Sequence, residues 1–254
     1  MPESVRAVAN TGEVVNALTI DVEDYFQVSA FAPYIARSTW EERPCRVEQN
    51  IDRILELLST TGVHATFFTL GWIAERYPQM VRRIVSDGHE LASHGYAHER
   101  ASALEADAFF ADVALAKAGY RYSSSVYPIR HDHYGSPNGS RFAHMAHTSV
   151  LEVPIATARL FRTNLPAGGG GYFRLMPYAL SRWLLRRVNR CDEESAIFYF
   201  HPWEIDPGQP RVNGADAKTR FRHYVNLERT ANRLRLLLQD FRWDRMDRVV
   251  FGVA

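Results

Sequence analysis

The unbroken apolar run Val14-Val15-Asn16-Ala17-Leu18-Thr19-Ile20 predicts a strand buried on both faces. Apolar residues then fall at Val47, Ile51, Ile54, Leu55 and Leu58, the spacing of a helix over 47–60 with a polar outer face, which Gly62 stops. A β-branched and aromatic run predicts a strand over 64–70. A second amphipathic helix follows over 72–85, ended by Asp87-Gly88, and then a short strand over 90–92. Further along, the pattern predicts helices over 103–118, 178–189 and 219–241, and strands over 150–155, 196–200 and 248–253. The region 119–147 reads mostly as loop, and so does the glycine run 168–171, which lacks the lysine and spacing of a phosphate loop. Strands alternating with helices predict an α/β fold built on a parallel sheet or barrel, whose functional groups gather at the C-terminal ends of the strands.

Two such ends carry suggestive chemistry. The segment G-H-E-L-A-S-H-G-Y-A-H (88–98) sets His94 and His98 four residues apart, so one helical turn would let both imidazoles close on a single metal ion. A catalytic centre of that kind needs a carboxylate as third ligand and an open position for water. The acidic cluster Asp21-Val22-Glu23-Asp24 at the end of the first strand offers one. A third end, His201-Pro202-Trp203-Glu204, places another histidine on the same rim. The aromatic stretch from Tyr25 and Phe26 to Trp40 reads equally as the wall of a substrate groove or as a packed loop. The loop Arg130-His131-Asp132-His133 and the pair His144 and His147 read as surface or substrate-contacting groups rather than as a second metal site.

Composition narrows the class. The 254 residues suffice for a single large domain, with 46% hydrophobic and 23% charged residues, as in ordinary globular proteins. A net charge of +1 argues against bulk nucleic acid or an acidic membrane as dominant partner, and the arginine-rich C-terminal part reads as a solvated helix face. Cys45 and Cys191 read as two reduced thiols. No secretory leader or membrane-spanning run is evident, so membrane insertion is not expected and a cytoplasmic location is the default.

With these residues in view, the chain resembles the NodB-homology polysaccharide deacetylases, carbohydrate esterase family 4, and within them the exopolysaccharide and exosortase-associated subgroup. The likeness rests on L-T-I-D-V-E-D-Y-F (18–26), G-W-I-A-E-R-Y-P (71–78), the 88–98 segment, G-Y-F-R-L-M-P (171–177), F-H-P-W-E (200–204) and R-H-Y-V-N-L (222–227), spread over nearly the whole chain. It implies a distorted (β/α) barrel as one domain, with a helical extension around 215–254. It implies a divalent metal, usually Zn2+, and removal of N-acetyl groups from amino sugars of an oligosaccharide or polysaccharide. Asp21 matches the family's base, His94 and His98 its metal histidines, and His201 its general acid. The acidic metal ligand falls on Glu23 or Asp24; strand alternation favours Glu23 and a turn after it favours Asp24, the latter being preferred. Tyr25, Arg130, His131 and Trp203 are candidates for substrate contact. One departure stands out: the family's R-x-P segment has no counterpart before Gly119-Tyr120-Arg121-Tyr122, and Ser123 stands where relatives often carry Asp. That implies either a barrel short of one βα unit or a sequence that is not the complete gene product. It leaves open a carbohydrate-binding relative without full activity, or an allantoinase-like C–N hydrolase, as alternatives.

Overall fold

The computed structural model describes residues 7–8, 12–98, 120–131, 135–146 and 150–252. The helix expected over 103–118, together with Asp132, His133 and His147, lies outside them. The first half contributes strands β1 (Ala7–Val8), β2 (Val14–Val22), β3 (Thr66–Thr69) and β4 (Glu90–Ser93) and helices α1 (Val47–Thr61), α2 (Gly71–Arg76) and α3 (Pro78–Ser86). Strands β5 (Tyr122–Ser123), β6 (His144–Met145), β7 (Leu151–Glu152), β8 (Thr157–Leu160) and β9 (Thr163–Pro166) follow, and then helices α4 (Gly170–Leu175) and α5 (Tyr178–Arg187). The chain closes with β10 (Ile197–Phe200), α6 (Ala217–Tyr224), α7 (Leu227–Asp240), β11 (Arg242–Asp244) and α8 (Met246–Phe251).

The sheet is organised around β2. In parallel, β3 pairs with its second half (Asp21 opposite Phe68), β10 with its middle (Ile20 opposite Phe200) and β11 with its first half (Val15 opposite Arg242). β4 continues the parallel order beyond β3, and β1 adds antiparallel to the start of β2. A strand enclosed in this way cannot alternate polar and apolar faces, and Ala17, Leu18 and Ile20 are accordingly fully buried, which is why β2 reads as a continuous apolar run. Among the described residues the sheet does not close into a barrel. β5 pairs with β7 rather than with β4, and β8 and β9 form a separate hairpin.

Helices α1 and α7 cover one face. Ile51, Ile54 and Leu58 from α1 and Leu234 and Leu237 from α7 meet Leu18, Ile20, Phe67 and Phe198 from the strands. Each such side chain removed from water contributes about 1.5–3 kcal/mol. Gly62, at φ 66°, takes the left-handed position that ends α1.

Several expected elements differ. The helix expected over 72–85 is two helices, because Pro78 excludes the helical conformation at Tyr77 and starts α3 instead. The helix expected over 219–241 breaks at Val225-Asn226, where Asn226 is left-handed at φ 55°. Of the segment expected as a strand over 248–253, residues 248–251 belong to helix α8. Its buried Met246 and Val249 lie three residues apart, a helical spacing, and Gly252 at φ 63° ends it. The C-terminal part is also more than a helical extension, since β11 returns to the central sheet.

Candidate active site

The C-terminal ends of β2, β4 and β10 meet at one cleft of about 1060 Å³, lined among others by Asp21, Glu23, His94, His98, His201 and Trp203. The strand order alone brings them there. Asp21 and Glu23 alternate to the same side of the end of β2. His94 follows β4 directly, held by its amide bond to the Thr69 carbonyl (3.1 Å). His201 follows β10.

The two metal-type histidines do not come from a helical turn. After β4 the chain bends through Gly95 (φ 74°) and on to His98, itself left-handed at φ 57°. This bend is fastened to the start of α2, where the Gly71 amide donates to the Gly95 carbonyl (2.9 Å) and that of Trp72 to the Tyr96 carbonyl (3.0 Å). A side chain at Gly71 would lie 2.6 Å from the Tyr96 ring, so glycine is required there for the bend to dock. The left-handed backbone at His98 costs roughly 1–2 kcal/mol and returns its ring to within 4.9 Å of the His94 ring.

Glu23, His94 and His98 each offer a ligand atom, and the three atoms lie within 4.8 Å of one another. A carboxylate with two imidazoles is a donor set that suits a divalent transition metal. The protein leaves bonding capacity open in this cluster: Glu23 Oε2 and His94 Nε2 are buried without a hydrogen-bond partner. Glu23 Oε2 does lie 2.9 Å from His98 Nδ1, but the N–H of that nitrogen is directed at the Gln27 carbonyl, 3.0 Å away. A cation among these atoms would satisfy both orphans, and the residues present therefore fit a metal.

The charges of the metal-free cluster are strongly coupled. Burial alone would raise the Glu23 carboxyl, but the positive charges of His98 and His201 outweigh it and hold the group at about 2. Conversely the Glu23 carboxylate, against the cost of burial, lifts His98 to about 9. Burial pushes His94 below its ordinary value.

Sequence reasoning missed what holds His201. Its Nδ1 lies 2.7 Å from Glu204 Oε1, and the same oxygen accepts the His201 backbone N–H at 3.1 Å, a capping box at the start of the 3-10 turn Pro202–Ile205. The other carboxylate oxygen of Glu204 accepts from Arg174 Nε at 2.6 Å, and both side chains of this pair are buried, at 1% and 2% exposure. Arg174 spends Nη1 on the carbonyls of His223 (2.7 Å) and Val225 (3.1 Å). With Nδ1 donating to Glu204, His201 turns Nε2 towards Glu23 Oε1 (3.5 Å) and Asp21 Oδ2 (3.9 Å). Burial disfavours its charged form, but Glu23 and Glu204 prevail and raise it to about 9. The signal lay in the sequence as the His-x-x-Glu spacing of F-H-P-W-E and in the glycine run. A side chain at Gly170 would come within 2.3 Å of the Glu204 carboxylate.

Trp203 lines the cleft but is only 5% exposed, stacked between His201 (5.1 Å) and His223 (4.1 Å). Its ring N–H donates to Glu23 Oε1 at 3.2 Å, so it steadies the acid of the cluster instead of presenting a face for a sugar. Asp24 is corrected similarly. Its carboxylate faces away from the histidines and accepts from the backbone amides of Arg46 and Val47 (2.8 Å for Val47), capping α1, whose own N-cap residue Arg46 has no capping side chain. Glu23, not Asp24, is the acid beside the histidines. Tyr25 is 2% exposed and packs edge-on against Phe26 (5.3 Å) in a cluster with Trp40, which makes the aromatic stretch a packed loop. Arg130 is exposed and outside the cleft lining, whereas His131 lines the cleft beside Tyr172. Arg121 stacks its guanidinium on the Phe251 ring at 3.7 Å.

Residues 33–144 match the polysaccharide deacetylase family, and residues 124–251, half the chain, match a domain of unknown function, DUF3473. The chain is similar to a peptidoglycan-N-acetylglucosamine deacetylase of Bacillus cereus, 39% identical over 22% of this chain and 21% of that protein. It is also similar to a chitooligosaccharide deacetylase of Sinorhizobium fredii, 35% identical over 31% of this chain and 36% of that protein. The matched segment is thus well under half of either relative. Among solved structures, one from Mycobacterium smegmatis assigned to the polysaccharide deacetylases superposes with a TM-score of 0.60 at 16% identity. It covers 100% of this chain and 94% of that one, a likeness of fold. Among the described residues no helix is long and apolar enough to cross a membrane. The chain thus carries a polysaccharide deacetylase (NodB-homology) domain match over residues 33–144, and over residues 124–251 it belongs to the family defined by the DUF3473 domain.

Proposed function

We propose that the protein is a metal-dependent N-deacetylase, hydrolysing acetamido groups on amino sugars of an oligosaccharide or polysaccharide, with an exopolysaccharide precursor as the favoured source of substrate. The observation that carries this reading is the convergence of Asp21, Glu23, His94, His98 and His201 on one wall of the cleft, with two buried donor atoms of that set unpartnered. Glu23, His94 and His98 hold the cation. When bound, a divalent metal there, Zn2+ by preference, polarises the acetamide carbonyl and lowers the pKa of water from 15.7 towards about 7.

The remaining work falls to side chains of this chain. Asp21, at the open end of β2, accepts the proton of the attacking water as its oxygen bonds to the acetamide carbon. His201 then donates a proton from Nε2 to the departing sugar nitrogen, so that the C–N bond breaks in preference to loss of water, leaving acetate and a free amine. The Glu204 carboxylate fixes the His201 tautomer that presents Nε2 to the cleft.

The test is acetate release from N-acetylglucosamine oligomers by the purified protein, with added zinc and with a chelator. Zinc-dependent release that falls at least about a hundredfold in Asp21→Asn and in His201→Ala is expected. Folded protein that releases no acetate from any of several acetylated glycans, or variants that turn over normally, would overturn the reading.

A further inference from the structure

Every charged side chain between Glu152 and Asp192 is an arginine: positions 159, 162, 174, 182, 186, 187 and 190. Arg174 is consumed in the core by Glu204, and Arg182 pairs with Asp240 at 3.0 Å. The others lie at the surface of the β8–β9 hairpin, of α5 and of the π-helical turn Val188–Asp192 that continues it, and hairpin and helix touch where Arg187 Nε donates to the Arg159 carbonyl (2.9 Å). Asp192, the first acid beyond the stretch, is bound by Arg141 at 3.2 Å, and the exposed Glu193 follows it. A net charge of +1 over the whole chain conceals this local excess.

The same adjoining elements carry apolar side chains that do not enter the core. Phe161, at the tip of the hairpin, is 90% exposed and sits at φ 54°, in the two-residue turn between β8 and β9 where glycine is strongly favoured. An aromatic residue that both strains its backbone and buries nothing is unfavourable for the fold taken alone. On α5, Leu180 and Trp183 are 41% and 45% exposed, and they share one helix face with Arg186 and Arg187 by their spacing of three and four residues, with the exposed Arg190 in the π-helical turn that follows. Arginines at the end of α5 suit the helix dipole, but that does not account for Arg159, Arg162 or the exposed aromatics.

We propose that the tip of the β8–β9 hairpin and the outer face of α5 dock the protein peripherally on an anionic lipid surface. Phe161, Trp183 and Leu180 enter the headgroup boundary while the surrounding arginines meet lipid phosphates. Aromatic and aliphatic side chains among a clear excess of arginine, with Asp240 already paired to Arg182, are the composition that lies in such an interface. A second copy of the chain is a poor occupant, because the face would set arginine against arginine. The proposal is independent of the catalytic reading, and it does not involve a membrane-spanning segment.

Co-sedimentation of the full chain with vesicles tests it. Binding to phosphatidylcholine vesicles containing phosphatidylglycerol, absent with phosphatidylcholine alone and weakening as salt is raised, is expected. Arg186→Glu with Arg190→Glu should weaken it by at least about fivefold per arginine. Phe161→Gly should also weaken binding while leaving the melting temperature unchanged or higher, because glycine relieves the backbone at that turn. Three results would overturn the proposal: no sedimentation with either vesicle, equal sedimentation with both, or variants that bind as the parent does. So would a face that proves, by a dimer in solution lost in these variants, to be covered by a second copy.

Discussion

Glu204→Gln isolates the buried Arg174–Glu204 pair. The substitution keeps the shape of the side chain but removes the charge that compensates a guanidinium only 2% exposed, and it weakens the acceptor for His201 Nδ1. Removing one partner of a buried ion pair costs about 3–5 kcal/mol, since the other charge remains out of water. At about 2–4 °C per kcal/mol for a chain of this size, the melting temperature should fall by roughly 6–20 °C. Turnover per folded molecule should fall by about a hundredfold or more, the contribution of a positioned proton donor. The double variant Arg174→Met with Glu204→Gln separates the two effects. With no guanidinium left stranded, much of the thermal stability should return, whereas acetate release should stay low because His201 still lacks its carboxylate. Melting by circular dichroism and acetate release on the same preparations read both quantities. A Glu204→Gln protein that melts within about 2 °C of the parent and turns over normally would refute the reasoning, as would a double variant that regains rate along with stability.

Glu23→Ala should abolish stoichiometric zinc binding measured by elemental analysis, whereas Asp24→Ala should retain it and lose about 0.5–2 kcal/mol of stability as the cap of α1 is removed. Because the Glu23 carboxylate lifts His98 to about 9, His98 is protonated at pH 7 in the metal-free protein. Zinc uptake there should release a proton and weaken as pH falls, which calorimetry in buffers of different ionisation enthalpy reads directly. Burial lowers His89 to about 4, with its Nδ1 accepting the Ala65 amide at 3.2 Å. Below its ordinary value the unfolded chain gains a proton that the folded one refuses. Stability is thus full above about 6.5 and lost as pH falls towards 4, and His89→Phe should flatten that slope in denaturant titrations even if its overall stability is lower.

The parts of this site that follow from chain order were legible in the sequence. Strand periodicity and the position of polar residues at strand ends located Asp21, His94, His98 and His201, because parallel β/α connectivity forces such ends together. The choice between Glu23 and Asp24 was not legible, since it turned on whether α1 could cap itself, and Arg46 cannot. Spacing also suggested a helical turn for His94 and His98, where glycine and a left-handed histidine produce a bend with the same outcome for the rings. Arg174 and Glu204 were hidden because their partnership is tertiary: 30 residues separate them, and neither carries a local pattern beyond a glycine run and a capping spacing. Apolar runs as short as 248–253 look alike in helix and strand, so α8 required its packing to be recognised.

The position of β2 also governs how the chain reaches this structure. It is made long before its partners, since Ala17 to Ile20 pair with β10 and Val15 to Ala17 with β11, both far later in the chain. Until Asp244 has left the ribosome, this buried strand has unfilled edges, and its pairing then requires closure of loops spanning most of the described chain. β2 is therefore the segment most in need of protection from association until β10 and β11 have been made.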